Sequence, residues 1–204
     1  DVTKINSIEK SIKKNKPKII IHCAALSRPM SLHDKDIQKS IDINIIGTCN
    51  LVKLCSKYKI KLVYFSTGYV YEGLKGNYSE EDPVKPFNNY GYSKLGGECA
   101  VSMYDNSLIL RITMTEKPFL HKKAYTNLIS NFMFHEDLVF ILPKILDQKG
   151  ILNIGGKPQS IYNFAKKHNK KIKKAFAKKN NKLPLKQTMN LSKLSKIIKI
   201  KSFK

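Results

Sequence analysis

The chain has 204 residues, of which 42% are hydrophobic and 26% are charged. That balance can build a core, which excludes a chain disordered throughout. The longest apolar run, Ile19 to Leu26, contains His22 and falls far short of the roughly 20 residues a membrane-spanning helix needs, so no membrane partner is expected. Lys and Arg number 38 against 15 Asp and Glu, a net charge of +23. Fifteen lysines and no acid lie between Lys166 and Lys204, which leaves the first 165 residues at +8. A basic segment points toward nucleic acid or an anionic surface. However, only Arg28 and Arg111 are arginine, and sequence readers of nucleic acid lean on the bidentate guanidinium. A solvated basic face is the better reading, and nucleic acid is not expected as a partner. Cys23, Cys49, Cys55 and Cys99 form no C-x-x-C pair. They read as reduced thiols of a cytoplasmic protein rather than a zinc site or a disulfide framework. No leader pattern stands at the start, and the opening Asp1 fits a sequence that begins inside a longer protein.

Ile5, Ile8 and Ile12 recur at helical spacing and predict a short helix over 5–15, ending before Pro17. Residues 18–23 form an unbroken apolar run, as in a parallel strand covered on both faces. A long helix is expected over 36–58, a second buried strand at 62–65, and a Gly- and Pro-rich loop over 67–88. Long loops in compact domains usually serve function. A helix over 89–105 and a third strand at 107–110 follow. Residues 113–134 carry no clear period. A helix over 135–147 and a strand at 151–154 come next, then a helix capped by Ser160 and running through Lys167. His135-Glu136-Asp137 reads as helix capping rather than a metal cluster. The lysine-rich remainder, 166–204, is expected as a tail with a weak helical pattern at Leu191, Leu194, Ile197 and Ile198. Alternating strands and helices imply a parallel α/β sheet, with ligands at the carboxyl ends of its strands. The segments to inspect therefore follow Cys23, Phe65 and Leu110.

Ser66-Thr67 follows the second strand, and Tyr90 and Lys94 stand at i, i+4 on the next helix, on one face. An ammonium beside a phenol favours the phenolate and lowers its pKa from about 10. Tyr90 is thus a candidate proton donor or acceptor, Lys94 its partner, and a strand-end hydroxyl the holder of a substrate oxygen. Tyr and Lys at this spacing on a lysine-rich helix also arise by chance; the upstream Ser-Thr sharpens the pattern.

These residues, with Lys18-Ile-Ile-Ile-His-Cys-Ala-Ala25, Asn44-Ile-Ile-Gly47, Asn50-Leu51, Phe65-Ser-Thr-Gly-Tyr-Val-Tyr71, Tyr90-Gly-Tyr-Ser-Lys-Leu-Gly-Gly-Glu98 and Leu110-Arg111, resemble the extended short-chain dehydrogenase/reductase family. The match is to its dTDP-4-dehydrorhamnose reductase branch, within the NAD-dependent epimerase/dehydratase superfamily, over residues 1 to roughly 165. The resemblance implies a Rossmann-type parallel sheet with flanking helices, plus a small C-terminal substrate-side region. It implies a catalytic Thr67, Tyr90 and Lys94. Asp1, Val2, Cys23, Ala24, Ala25, Ser66, Tyr90 and Lys94 would contact NADPH or NADH, and Thr67, Tyr69 and Met114 the nucleotide sugar. No metal is expected, and a homodimer is left open. The implied reaction is NADPH-dependent reduction of a 4-keto nucleotide sugar. The alternatives are an epimerase or dehydratase of the same family, or a non-catalytic subunit akin to the regulatory subunit of methionine adenosyltransferase.

The sequence departs from the family pattern in three ways. The first βαβ unit, about forty residues with the G-x-x-G-x-x-G turn that seats a pyrophosphate, is missing from it. Gly68 stands where the branch has Asp, and Met114 where Trp is common in a shortened 113–134 segment.

Overall fold

The computed structural model describes residues 1–178 and 183–198. Its centre is a four-stranded, all-parallel sheet: β1 (Ile19–His22), β2 (Lys61–Thr67), β3 (Ser107–Ile112) and β4 (Gly150–Ile154), in spatial order β1-β2-β3-β4. Leu62 lies opposite Ser107, and Leu110 opposite Leu152. Every residue of β3 is buried, which is why its middle, Leu108 to Leu110, is an unbroken apolar run.

Alternate side chains of the sheet feed two cores. Leu62, Tyr64 and Ile109 pack with Ile12 of α1 (Ile5–Asn15), Leu54 and Cys55 of α2 (Gly47–Tyr58), and Val101 of α3 (Asn89–Ser102). Val63, Leu108, Leu110, Ile112 and Leu152 pack on the other face with Leu138, Ile141 and Ile145 of α4 (His135–Ile145). The result is the helix–sheet–helix layering of a Rossmann-like fold, as the alternating elements predict. α3 starts at Asn88, whose side chain accepts from the Gly91 amide, and α5 (Ile161–His168) starts at Ser160, which accepts from Asn163. Asp137 accepts from the Phe134 amide, so the acids at 136–137 do serve the start of α4. No cluster of three or more metal-ligating side chains forms among the described residues.

Three elements differ from expectation. The helix over 36–58 is not uniform: Ile37–Ile41 is α-helical, Asp42–Ile46 a π-helical turn, and α2 begins at Gly47. Hydrophobic spacing does not reveal one extra residue in a turn. Residues 113–134 hold four short strands: Met114–Thr115, Lys123–Tyr125, Ile129–Ser130 and Met133–Phe134. The segment read as a tail is built into the fold. Lys173–Ala175 pairs with Lys123–Tyr125, and Lys186–Gln187 with Ile129–Ser130. α6 (Ser192–Ile197) buries Leu194 fully in the α4-side core. Lysines keep their charges in water while a few apolar residues anchor the segment, so composition alone misled. The lysine-rich stretches at 179–182 and 199–204 lie outside the described residues.

β1 pairs only with β2 among the described residues. Ile19 and Ile21 on this edge strand are 36% and 41% exposed. No described helix is long and apolar enough to cross a membrane.

Candidate active site

The carboxyl ends of β1, β2 and β3 open on one side, where the first two turns of α3 pass. Thr67 ends β2 and is buried; its hydroxyl accepts from the Tyr69 amide at 3.2 Å. The chain then turns through Gly68–Val70 in a single 3₁₀ turn. Gly68 has a local reason: a Cβ there would lie 2.7 Å from the Thr113 hydroxyl and 3.3 Å from the Met189 sulfur. Met189, brought in by the C-terminal segment, occupies the space a larger residue at 68 would take. Gly91 is equally constrained, since its Cβ would stand 2.5 Å from the Tyr69 carbonyl. This contact lets the first turn of α3 press Tyr90 against the Thr67–Tyr69 turn.

Tyr90 therefore faces Thr67, and its ring meets Tyr69 edge-on at 6.1 Å. Burial raises the Tyr90 phenol above its ordinary 10, while the neighbouring Thr67 hydroxyl and the charge of Arg28 pull the other way. This corrects the expectation that Lys94 lowers it. Lys94 is one turn on and buried, with its ammonium 4.2 Å from the centre of the Tyr64 ring. Burial pushes Lys94 down to about 7, against the attraction of Glu98 and Cys23. Its ammonium makes no hydrogen bond or ion pair among the described residues.

Glu98, a further turn along the same face, closes a buried network. Arg111 donates to it through Nη2 at 2.9 Å and through Nε at 3.2 Å, and to the Tyr71 hydroxyl through Nη1 at 2.8 Å. The Ser66 hydroxyl also donates to Glu98. Ser66 is thus committed to the core, and only its backbone is left for a cofactor. The network ties β2, β3 and α3 together beneath Tyr90 and Lys94. A buried charge pair held by this many hydrogen bonds fixes geometry more than it adds stability.

Of the other candidate residues, Cys23 and Ala24 are exposed and Ala25 half-buried, at the carboxyl end of β1. Tyr69 sits between Phe87 and Tyr90. Met114 is half-buried against the α4-side core and bridges Met133. Asp1 is exposed and accepts from Thr3, while Val2 lies against Gly47 of α2. Small exposed residues after β1, beside an unpaired buried ammonium, fit the nicotinamide end of a dinucleotide. Among the described residues no Gly-rich turn stands at a helix start to receive its pyrophosphate.

Three neighbours complete the site; Asn44 belongs to the quoted motifs, whereas Arg28 and His33 were not expected there. Asn44, in the π-helical turn, accepts from the Leu26 amide at 2.7 Å and donates to the Leu26 carbonyl at 2.9 Å and the Ser93 hydroxyl at 2.8 Å. It clips the loop after β1 onto α3. Arg28 reaches across to pair with Glu116. His33 packs its ring on Tyr90, the centroids 5.2 Å apart. A lone Arg or His in a polar loop carries no spacing signal; only the fold brings these to Tyr90.

The RmlD substrate binding domain family matches residues 1–134. The chain belongs to this family. Methionine adenosyltransferase 2 subunit beta of Pongo abelii is 34% identical over 134 residues, covering 63% of this chain and 39% of that protein. The dTDP-4-dehydrorhamnose reductase of Aggregatibacter actinomycetemcomitans is 29% identical over 117 residues, covering 56% of this chain and 40% of that protein. The chain thus spans about two fifths of the length of these curated relatives. Among solved structures, a hypothetical dTDP-4-dehydrorhamnose reductase from Sulfolobus tokodaii superposes with a TM-score of 0.85 at 25% identity, covering 98% of this chain and 81% of that one. The Bacillus anthracis dTDP-4-dehydrorhamnose reductase, solved with NADP, gives 0.81 at 24% identity, covering 93% and 77%. The family expected from the motifs and its Rossmann-like sheet are therefore both found.

Proposed function

We propose that this chain carries the proton-transfer site of an NADPH-dependent reductase acting on a 4-keto nucleotide sugar, as in dTDP-L-rhamnose formation. The observation that carries the proposal is the meeting of Thr67 and Tyr90 at the strand ends, with the unpaired Lys94 ammonium one turn away. Bound NADPH or NADH would supply the hydride for the C4 carbonyl carbon. Thr67 donates a hydrogen bond that holds the carbonyl oxygen beside the phenol. Tyr90 gives its proton to that oxygen as it becomes an alcohol, and is left as phenolate. Lys94, one turn along the same helix face, holds the cofactor ribose. Cys23, Ala24, Ala25 and the Ser66 backbone line the cofactor, Asp1 and Val2 its adenine end. Tyr69 and Met114 face the sugar nucleotide. The cytoplasm, where thiols stay reduced, suits its four unpaired cysteines.

The test is NADPH consumption with dTDP-4-dehydrorhamnose as substrate. Consumption that depends on the sugar, and is lost in Tyr90→Phe, supports the reading; sugar-independent or absent consumption in a chain that binds both ligands overturns it. The 34% identity to a methionine adenosyltransferase subunit favours a second reading, a non-catalytic subunit. Stable binding to a methionine adenosyltransferase catalytic chain without sugar turnover would support that one instead.

A further inference from the structure

Residues 117–135 and 148–204 contain no Asp or Glu. Three of the lysines on these segments gather around one concavity. Lys157, Lys166 and Lys167, with Gln159 and Asn163, line a pocket of about 410 Å³ that opens to solvent. All five side chains can donate hydrogen bonds. None of the three ammonium groups is ion-paired among the described residues.

Packing fixes the parts that carry these side chains. The chain leaves β4 through Gly155 and Gly156, and a Cβ on Gly156 would stand 2.5 Å from the Phe132 carbonyl. The Gly156 amide donates to the Asn131 carbonyl at 2.8 Å, and the Asn131 side chain donates to the Gly156 carbonyl at 2.9 Å. Gln159–Ser160 then pairs antiparallel with Ile129–Ser130. Lys157 and Gln159 are thereby held just ahead of α5. Asn163, Lys166 and Lys167 stand at i, i+3 and i+4 on α5 and share one face. Phe164 and Ala165 anchor the helix in the core beside Phe134. The Lys166 ammonium also rests 5.5 Å from the centre of the Tyr162 ring.

We propose that this pocket binds linked phosphoryl groups, as in pyrophosphate or the phosphate chain of a nucleotide. Three ammonium groups concentrate positive charge that the chain does not neutralise, and ammonium and amide donors suit phosphate oxygens. The volume falls in the range of pockets that take whole small ligands, so there is room for more than one phosphate. No aromatic or aliphatic side chain lines it, and a nucleobase finds nothing to stack on. Recognition therefore rests on the phosphates. The pocket follows β4, at the sheet edge opposite β1, and the proposal does not depend on the reduction proposed for Tyr90.

The test titrates the full chain with inorganic pyrophosphate by calorimetry. Binding should saturate at one site per chain. Lys157→Gln, Lys166→Gln and Lys167→Gln combined should weaken it by about tenfold or more, each single change by up to about fivefold, the upper end for an exposed ion pair. Lys10→Gln, Lys14→Gln and Lys53→Gln combined remove the same charge from exposed positions of α1 and α2 and should change little. Absence of saturable binding, or equal weakening by the two triple variants, overturns the proposal and leaves a solvated basic face. dTDP should bind as pyrophosphate does, and orthophosphate more weakly. Binding of dTDP without binding of pyrophosphate would overturn recognition through the phosphates. A readout that needs no variant is NMR of the unaltered chain. Pyrophosphate should shift the side-chain amide signals of Gln159 and Asn163, and unmoved signals overturn the site.

Discussion

Tyr90 and Lys94 show how burial tunes an acid and a base on one helix face. Both are driven toward their neutral forms, the phenol upward and the ammonium down to about 7. Replacing Tyr90 by Phe removes a proton donor and little volume. It should lower kcat by about 10²–10⁴, the usual weight of general acid catalysis, with nicotinamide cofactor affinity nearly unchanged. Steady-state kinetics beside a cofactor titration checks this. Lys94 has the opposite trade. Its folded pKa lies below the unfolded value near 10.5, so the unfolded state binds more protons between about 7 and 10.5. Stability contributed by this residue rises with pH through that window and is lost as pH falls toward 7. Lys94→Met should therefore stabilise the chain at neutral pH, by roughly 1–3 kcal/mol, while abolishing turnover. Denaturant unfolding at neutral pH is the check, and a destabilised variant would contradict the burial argument. His22 acts lower on the scale: burial takes it to about 4 from 6.5, so its share of stability is lost as pH falls across that interval. His22→Asn should flatten the acid limb of the unfolding curve.

Among elements, periodicity made the central ones readable. The apolar runs at β2 and β3 and the apolar stripe of α4 announce themselves, because a strand covered on both faces and a half-buried helix each have their own pattern; β1 carries a similar run but is an edge strand with Ile19 and Ile21 exposed, so the expected cover on both of its faces is corrected. Thr67, Tyr90 and Lys94 were equally legible, since strand ends and a four-residue helical spacing fix where they sit. What stayed hidden depends on distant packing. The π-turn that aims Asn44 at Leu26 and Ser93 leaves no mark in hydrophobic spacing. The approach of His33 and Arg28 to Tyr90 spans more than fifty residues of chain. The C-terminal segment was obscured by its lysines, although Leu194 and Met189 anchor it in two separate cores. Leu194→Ala should cost about 2–5 kcal/mol, as emptying a fully buried leucine site does. A loose tail would show no change in the same unfolding experiment.

At the scale of the molecule, the open sheet has two edge strands, β1 and β4, and the outer edge of β1 pairs with no strand among the described residues. β1 presents backbone donors and acceptors there, flanked by exposed Ile19 and Ile21. An unpaired apolar edge favours association and weakens the sheet. Without a Gly-rich turn, the dinucleotide phosphates also lack a helix N-terminus to sit on. These 204 residues alone are accordingly expected to be poorly stable and to bind NADPH weakly or not at all. A cooperative thermal transition together with micromolar NADPH affinity would show that another part of the molecule replaces both functions.

Tyr90 is proposed as the proton donor in reduction of a 4-keto nucleotide sugar. This is tested most directly by supplying a Gly-rich βαβ unit as an N-terminal fusion and measuring NADPH-dependent reduction of dTDP-4-dehydrorhamnose in the Tyr90 and Tyr90→Phe forms. The first form should reduce the sugar and the second should lose about a hundredfold or more, with both binding NADPH alike. Equal turnover by the two forms would contradict it.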